Sequence, residues 1–206
     1  MGKQATLFST EELDGPSGPH EVSKIRCRAL ECRACPLQDE RTQVVFGEGS
    51  ANSPPVAFVG EAPGKNEDLT GHPFVGLAGQ MLDDMLEAMN LSREKVFITN
   101  AVMCRPPGNR TPEPAEIEAC KIFLYTQLRA VRPQIIVALG KTAANAMLGV
   151  KKKLALMRGA WHDWEGIPVR VSYHPAYLLR DPANKKAAWD DLQAVMLRLG
   201  IVKDDA

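Results

Sequence analysis

The stretch VAFVGEAPGKNEDLTGHPFVG, from Val56 to Gly76, contains the strand and the loop around which we expect the rest of the chain to be built. Its first four residues are apolar and predict a buried strand, and the strand enters a loop in which glycines and prolines restrict the backbone. Carboxylates, an imidazole and one aromatic ring lie along this loop, which is typical of a pocket wall, although many glycine-rich turns are only turns. The phosphate-loop pattern G-x-x-x-x-G-K is not matched.

Three further apolar runs follow and alternate with segments of helical periodicity. Alternating strands and helices favour a three-layer α/β/α sandwich around a central four-stranded parallel sheet. A hairpin around Gly166 is expected just before the fourth strand. The predicted strands are 56–59, 96–101, 135–140 and 169–173, and the predicted helices are 77–90, 115–131, 141–148 and 184–199. A further short helix is expected in the run that starts at Val22.

The length of 206 residues suits one domain, which we expect over residues 22–206 behind a mobile tail, residues 1–21. No apolar run approaches the ~20 residues that span a bilayer, and the N-terminus lacks a secretion signal. We therefore expect a cytoplasmic monomer that does not contact membranes. Lys plus Arg equals Asp plus Glu at 25 each, so any affinity for DNA must come from a local patch.

Five cysteines in such a chain indicate metal binding, redox chemistry or buried thiols rather than disulfides. Cys32 and Cys35 form a CxxC pair, Cys104 follows the second predicted strand, and Cys120 lies in the next helix. A CxxC pair alone also occurs in redox motifs, but four thiolates suit either Zn²⁺ or a [4Fe-4S] cluster. Spacing leaves both open, and Cys27 is the spare thiol.

Polar side chains follow three of the predicted strands. Glu61, Asn100 and His174 each lie at or just past a strand end, and Phe74 belongs to the first loop. Ligands of parallel sheets bind at the carboxyl ends of the strands, so these residues predict a shared cleft. An aromatic face, an amide and an imidazole together suit a planar base.

Several motifs are similar to those of one known family. GEAPGKNED at 60–68 and GHPFVGLAG at 71–79 resemble the first motif of the family 4 uracil-DNA glycosylases. HPAYLLR at 174–180 resembles their HPSxxLR motif, with Ala176 where serine is usual. The resemblance covers about residues 25–199 and implies a [4Fe-4S] cluster. Its implied ligands are Cys32, Cys35, Cys104 and Cys120.

The resemblance also implies how the base would be recognised. Phe74 would stack on a uracil flipped out of the DNA, and the Asn100 amide would read the polar edge of that base. Glu67 would crowd carbon 5 and so exclude the methyl group of thymine. These residues would select uracil.

The same resemblance implies a catalytic set. His174 would donate a hydrogen bond to O2 of the base, where negative charge collects as the glycosidic bond breaks. Glu61 and the backbone at Ala62 would hold the attacking water. Alternatively, the Glu61 carboxylate only fixes the shape of the loop.

The substrate would be uracil-containing DNA, single- or double-stranded. Leu178 or Leu179 would fill the gap left by the flipped nucleotide, and Arg110 and Arg180 would contact phosphates. Two other classes remain open: a non-catalytic, metal-stabilised nucleic-acid-binding module, and a redox protein that uses the cluster.

Overall fold

The computed structural model describes residues 17–201, which contain the following strands and helices. The strands are β1 (Glu48–Gly49), β2 (Val56–Gly60), β3 (Phe97–Asn100), β4 (Ile135–Leu139), β5 (Trp161–Trp164) and β6 (Ile167–Ser172). The helices are α1 (Pro19–Leu30), α2 (Lys65–Thr70), α3 (Leu77–Ala88), α4 (Pro114–Val131), α5 (Gly140–Leu148), α6 (Pro175–Arg180) and α7 (Lys185–Leu199).

One sheet with the strand order β1-β3-β2-β4-β6-β5 forms the middle layer. The four inner strands are parallel and are the four that the apolar runs predict. The prediction that the sheet has four strands is wrong, because an antiparallel strand is added at each edge. One of them, β1, is two residues long, and the other, β5, forms the expected hairpin with β6 through Glu165 and Gly166.

Helices cover both faces of the sheet, which confirms the three-layer architecture. Alternate residues of β2 point to opposite sides: Phe58 packs with residues of α3, α6 and α7, whereas Val59 packs with residues of α4 and α5. Met85 of α3 and Met89, just past the end of that helix, are buried in the first of these cores. Burying a side chain of this size contributes about 2 kcal/mol.

The first helix begins inside the segment that the sequence assigned to a tail. Pro19 opens α1, and the N–H of Gly18 donates to the carbonyl of Ala130 over 2.8 Å, so this end of the chain is docked on α4. The predicted domain start at residue 22 is therefore too late, and the rest of the predicted tail, 1–16, lies outside the described residues. Within 17–201, no helix is long and apolar enough to cross a membrane.

Candidate active site

A cleft of about 610 Å³ opens at the carboxyl ends of β2, β3 and β6, and it brings together most of the predicted site. The strands deliver their terminal side chains here because parallel strands end at the same edge of the sheet. The predicted residues that line it are Glu61, Ala62, Glu67, Phe74, Asn100, Arg110, His174 and Arg180.

Asn100 lies at the bottom of this cleft with an unused hydrogen-bonding atom. Its side chain is 2% exposed, and its Oδ1 is buried without a partner. An unpaired buried carbonyl costs about 1–3 kcal/mol, so a structure that keeps one has an acceptor ready for a ligand. Gly60 makes room for it, because a Cβ at this glycine would lie 2.3 Å from Asn100 Oδ1 and 2.5 Å from Phe74 Cζ.

Phe74 is held in an uncommon backbone conformation against the imidazole of His174. Its φ is 57°, and the two ring centroids are 5.7 Å apart at an interplanar angle of 27°. The guanidinium of Arg93 donates to the carbonyl of Phe74 and, over 3.0 Å, to that of Pro73. Arg93 therefore fixes the position of the aromatic wall, and sequence reasoning missed it.

His174 is a neutral donor. The N–H of Ala176 donates to Nδ1 over 3.1 Å, so in the neutral ring the proton resides on Nε2. Burial, reinforced by the positive charge of Arg180 and opposed by Glu67, lowers the pKa of His174 to about 4. The hydrogen bond at Nδ1 comes from the backbone, so alanine in place of the usual serine at 176 leaves it intact.

The carboxylate of Glu67 is fully engaged by the loop around it. Oε1 accepts the N–H groups of Val75 and Gly76, both at 2.9 Å, and Oε2 accepts that of Gly64 at 3.1 Å. Glu67 thus ties the start of α2 to the segment after Phe74. It shapes the wall of the cleft as well as lining it.

Glu61 is held in place from another strand end. The hydroxyl of Thr142, near the start of α5, donates to Oε2 of Glu61. The two residues are 81 positions apart, and no sequence motif pointed to this threonine. Glu61 therefore has a fixed orientation at the cleft, next to Ala62.

The two candidate wedge leucines differ in exposure. Leu178 is 2% exposed and packs in the core, whereas Leu179 is 42% exposed. This difference favours Leu179 over Leu178 as the residue that would fill the DNA stack, because the side chain of Leu178 packs into the protein interior. Arg180 follows directly and has no ion pair within residues 17–201.

Arg110 already has a partner inside the protein. Both of its terminal nitrogens bond to the carboxylate of Glu116, at 2.8 and 2.7 Å, and the guanidinium holds the pKa of that buried carboxyl below its usual value. Both residues lie between Cys104 and Cys120, and their ion pair ties two parts of that segment together. Arg110 reaches the rim of the cleft, but much of its hydrogen-bonding capacity is used in the ion pair with Glu116.

The four predicted metal-ligating cysteines pack in one apolar cluster. Cys32, Cys35, Cys104 and Cys120 share contacts with residues of α1 and α4, and all of them are free thiols. The spare thiol, Cys27, is exposed. Among residues 17–201, no three His, Cys, Asp or Glu side chains are arranged as ligands of a metal ion.

The sulfurs lie in apolar surroundings that also contain N–H donors. Burial raises the pKa of Cys35, Cys104 and Cys120. Hydrogen bonds from N–H groups counteract this rise of the pKa values. Arg41 donates to Cys104 Sγ over 3.1 Å, and backbone N–H groups act on Cys35 and Cys120. Hydrogen bonds to sulfur inside an apolar shell are typical of iron-sulfur sites. Sequence reasoning missed Arg41, which also donates to the carbonyl of Cys32 at 2.9 Å.

Comparison with known proteins shows the family of this chain. The family model of the Uracil DNA glycosylase superfamily matches residues 46–193. The chain belongs to this superfamily.

Curated relatives narrow the assignment. The chain is similar to the type-4 uracil-DNA glycosylase of Thermotoga maritima, with 47% identity over 77% of this chain and 83% of the relative. It is also similar to those of Saccharolobus solfataricus, with 41% identity over 80% of each chain, and Archaeoglobus fulgidus, with 40% identity over 81% of this chain and 87% of the relative. Within the superfamily, the chain is a member of the type-4 family.

Proposed function

We propose that this protein hydrolyses the N-glycosidic bond of deoxyuridine in DNA, releasing uracil and leaving an abasic site. The observation that carries the proposal is the buried, unpaired Oδ1 of Asn100 at the bottom of the cleft. An amide oxygen there accepts the N3 hydrogen of uracil while the amide nitrogen donates to O4. Cytosine presents the opposite pattern, so an amide held in this orientation rejects it.

The walls of the cleft suit the rest of the base. Phe74 offers a ring face for stacking, and its angle is fixed by His174 and Arg93. Glu67 holds the wall that would crowd carbon 5, because its three backbone hydrogen bonds prevent the loop from moving outward. A thymine methyl group would therefore meet a rigid barrier.

Departure of the base is assisted by His174. As the bond between C1′ and N1 breaks, its electron pair leaves with uracil and charge collects on O2, where Nε2–H of the neutral imidazole donates. One such donor is typically worth ~3 kcal/mol. Water adds to C1′ and gives up a proton, which in the net reaction neutralises the released uracil anion. Glu61, oriented by Thr142, and the backbone at Ala62 hold that water.

The DNA, single- or double-stranded, is engaged at the rim. Leu179 fills the space left by the flipped nucleotide, and Arg180, which has no internal ion pair among residues 17–201, contacts a phosphate. Arg110 can contact the DNA only with the N–H groups of its guanidinium that are not bonded to Glu116. We infer that the protein acts as a cytoplasmic monomer.

Cys32, Cys35, Cys104 and Cys120 hold a [4Fe-4S] cluster in this proposal. When bound, the cluster supplies a rigid cross-link between the CxxC turn and the segment that starts at Cys104 and ends in α4. That segment carries Pro106, Asn109 and Arg110 into the cleft, so the four cysteines support one of its walls.

Incubation with uracil-containing oligonucleotides, followed by alkali, tests the proposal. An enzyme leaves abasic sites that alkali cleaves, in single strands and in duplexes. A nucleic-acid-binding module without activity leaves both intact. The same oligonucleotide with thymine in place of uracil is the control.

A further inference from the structure

A second cavity lies beside the cleft, and its lining is basic. It has a volume of about 700 Å³ and lies between the starts of α4 and α5 and the loop 149–153. Five lysines line it against one carboxylate, Glu118. The lysines are Lys121, Lys141, Lys151, Lys152 and Lys153.

Most of this positive charge is not neutralised internally. Lys121 pairs with Glu118 at 3.4 Å and lies over the ring of Tyr125. Lys141 and the three lysines 151–153 are exposed and have no ion pair within the described part of the chain. In a protein with no net charge, four unpaired cations around one cavity form a local anion-attracting field.

The loop that carries three of these lysines is held in a defined shape. Asn145 of α5 accepts the N–H of Lys152 at 3.2 Å and donates to its carbonyl at 3.3 Å. Gly149 ends the helix in the left-handed region with a φ of 63°, which turns the chain back toward α5. The lysines are thus presented on a fixed turn rather than on a loose strand.

The basic cavity adjoins the cleft of the candidate active site. Thr111 lines both, and Thr142 lines the basic cavity while its hydroxyl holds Glu61 of the cleft. A strand with one nucleotide in the cleft can therefore extend along the surface that carries the lysines. The repeated phosphates of that strand are the anions that a series of lysines matches best.

We propose that this basic cavity binds phosphates of the DNA strand flanking the excised nucleotide. The inference rests on the proposed function for the identity of the ligand. It adds a binding surface formed by Lys141 and the lysines 151–153, separate from the rim residues Leu179 and Arg180. Its contribution is electrostatic and independent of base sequence.

The test is the salt dependence of binding to a single-stranded oligonucleotide without uracil, measured by fluorescence anisotropy. Replacing Lys151, Lys152 and Lys153 together with alanine should make the negative slope of log K against log salt less steep by about 2, at roughly 0.7 per lost contact. The triple arginine variant should keep the slope. Lys95 supplies the matched control. It is exposed and directly precedes β3, so it lies at the amino-terminal ends of the parallel strands, away from the cleft.

Single variants sharpen the comparison. Lys152→Ala should reduce the slope by roughly 0.7, and Lys95→Ala should not change it. Equal slopes for these two variants would overturn the proposal, as would tighter binding of a polyglutamate peptide than of the oligonucleotide. Uracil release by the wild type is measured in parallel: release with unchanged slopes refutes only the lysine site, and reduced slopes without release refute only the glycosylase.

Discussion

The backbone N–H of Ala176 donates to Nδ1 of His174 over 3.1 Å, and this contact determines which imidazole nitrogen faces the cleft with a proton. It orients Nε2–H as a donor while the ring stays neutral. A departing uracil anion needs a donor of this kind at O2, and the ring of Phe74 stacks on the same imidazole.

Removing that donor should slow the chemical step. His174→Ala is expected to lower the single-turnover rate of uracil release by roughly two orders of magnitude, in line with the loss of one oxyanion donor. His174→Gln, which can still donate an N–H, should retain part of the rate. DNA affinity, measured with the same oligonucleotide, should change little because phosphates dominate it. A rate defect explained entirely by weaker binding would contradict this role.

The pKa of His174 predicts a pH-dependent stability. It is about 4 in the folded protein and about 6.5 in an unfolded chain. Between these values the unfolded state binds a proton that the folded state does not, so stability is lost as the pH falls from 6.5 toward 4. Lowering the pH from 7 to 5 should therefore reduce the Tm of the wild type more than the Tm of His174→Gln. An identical difference at both pH values would contradict the shifted pKa.

The cysteine site predicts iron in the purified protein. Cys104→Ser should abolish the broad iron-sulfur absorbance, lower the iron content and reduce Tm, because Cys104 is a buried member of the set. Cys27→Ser is the matched control, since Cys27 is exposed and should leave iron and Tm unchanged. Zinc without iron in anaerobically prepared wild type would exclude the cluster.

Leu179 should affect duplexes more than single strands. Leu179→Ala removes the side chain that fills the vacated stack, and a single strand has no paired stack to fill. Leu197→Ala, on an exposed leucine of α7, is the control for lost surface apolarity. The ratio of duplex to single-strand excision rates should fall for Leu179→Ala alone. An equal ratio in both variants would show that Leu179 is not the wedge.

The sequence predicts the parts of this fold that depend on apolar patterning. The four inner strands and the long helices carry uninterrupted or periodic apolar residues, and they lie where expected. The edge strand Glu48–Gly49 has only two residues and is defined by its pairing with Phe97 and Ile98, so it has no pattern of its own. The start of α1 at Pro19 was missed because the residues before Val22 show little apolar periodicity.

The same distinction holds at the site. Glu61, Asn100 and His174 could be predicted because a strand end places each of them. Arg41 and Thr142 could not, because their partners Cys104 and Glu61 are 63 and 81 positions away along the chain. The choice between Leu178 and Leu179 likewise required knowing which face of α6 is buried.

If the buried Oδ1 of Asn100 selects uracil for excision, the identity of the base released from matched oligonucleotides depends on that atom. Wild type and Asn100→Asp are each incubated with oligonucleotides that carry uracil, cytosine or thymine at one position, and the free base is quantified. Wild type should release uracil alone, and the variant should release uracil more slowly together with some cytosine, because its protonated carboxyl can reverse the hydrogen-bonding sense. Equal rates and selectivity for the two proteins, or no base released by wild type, would contradict it.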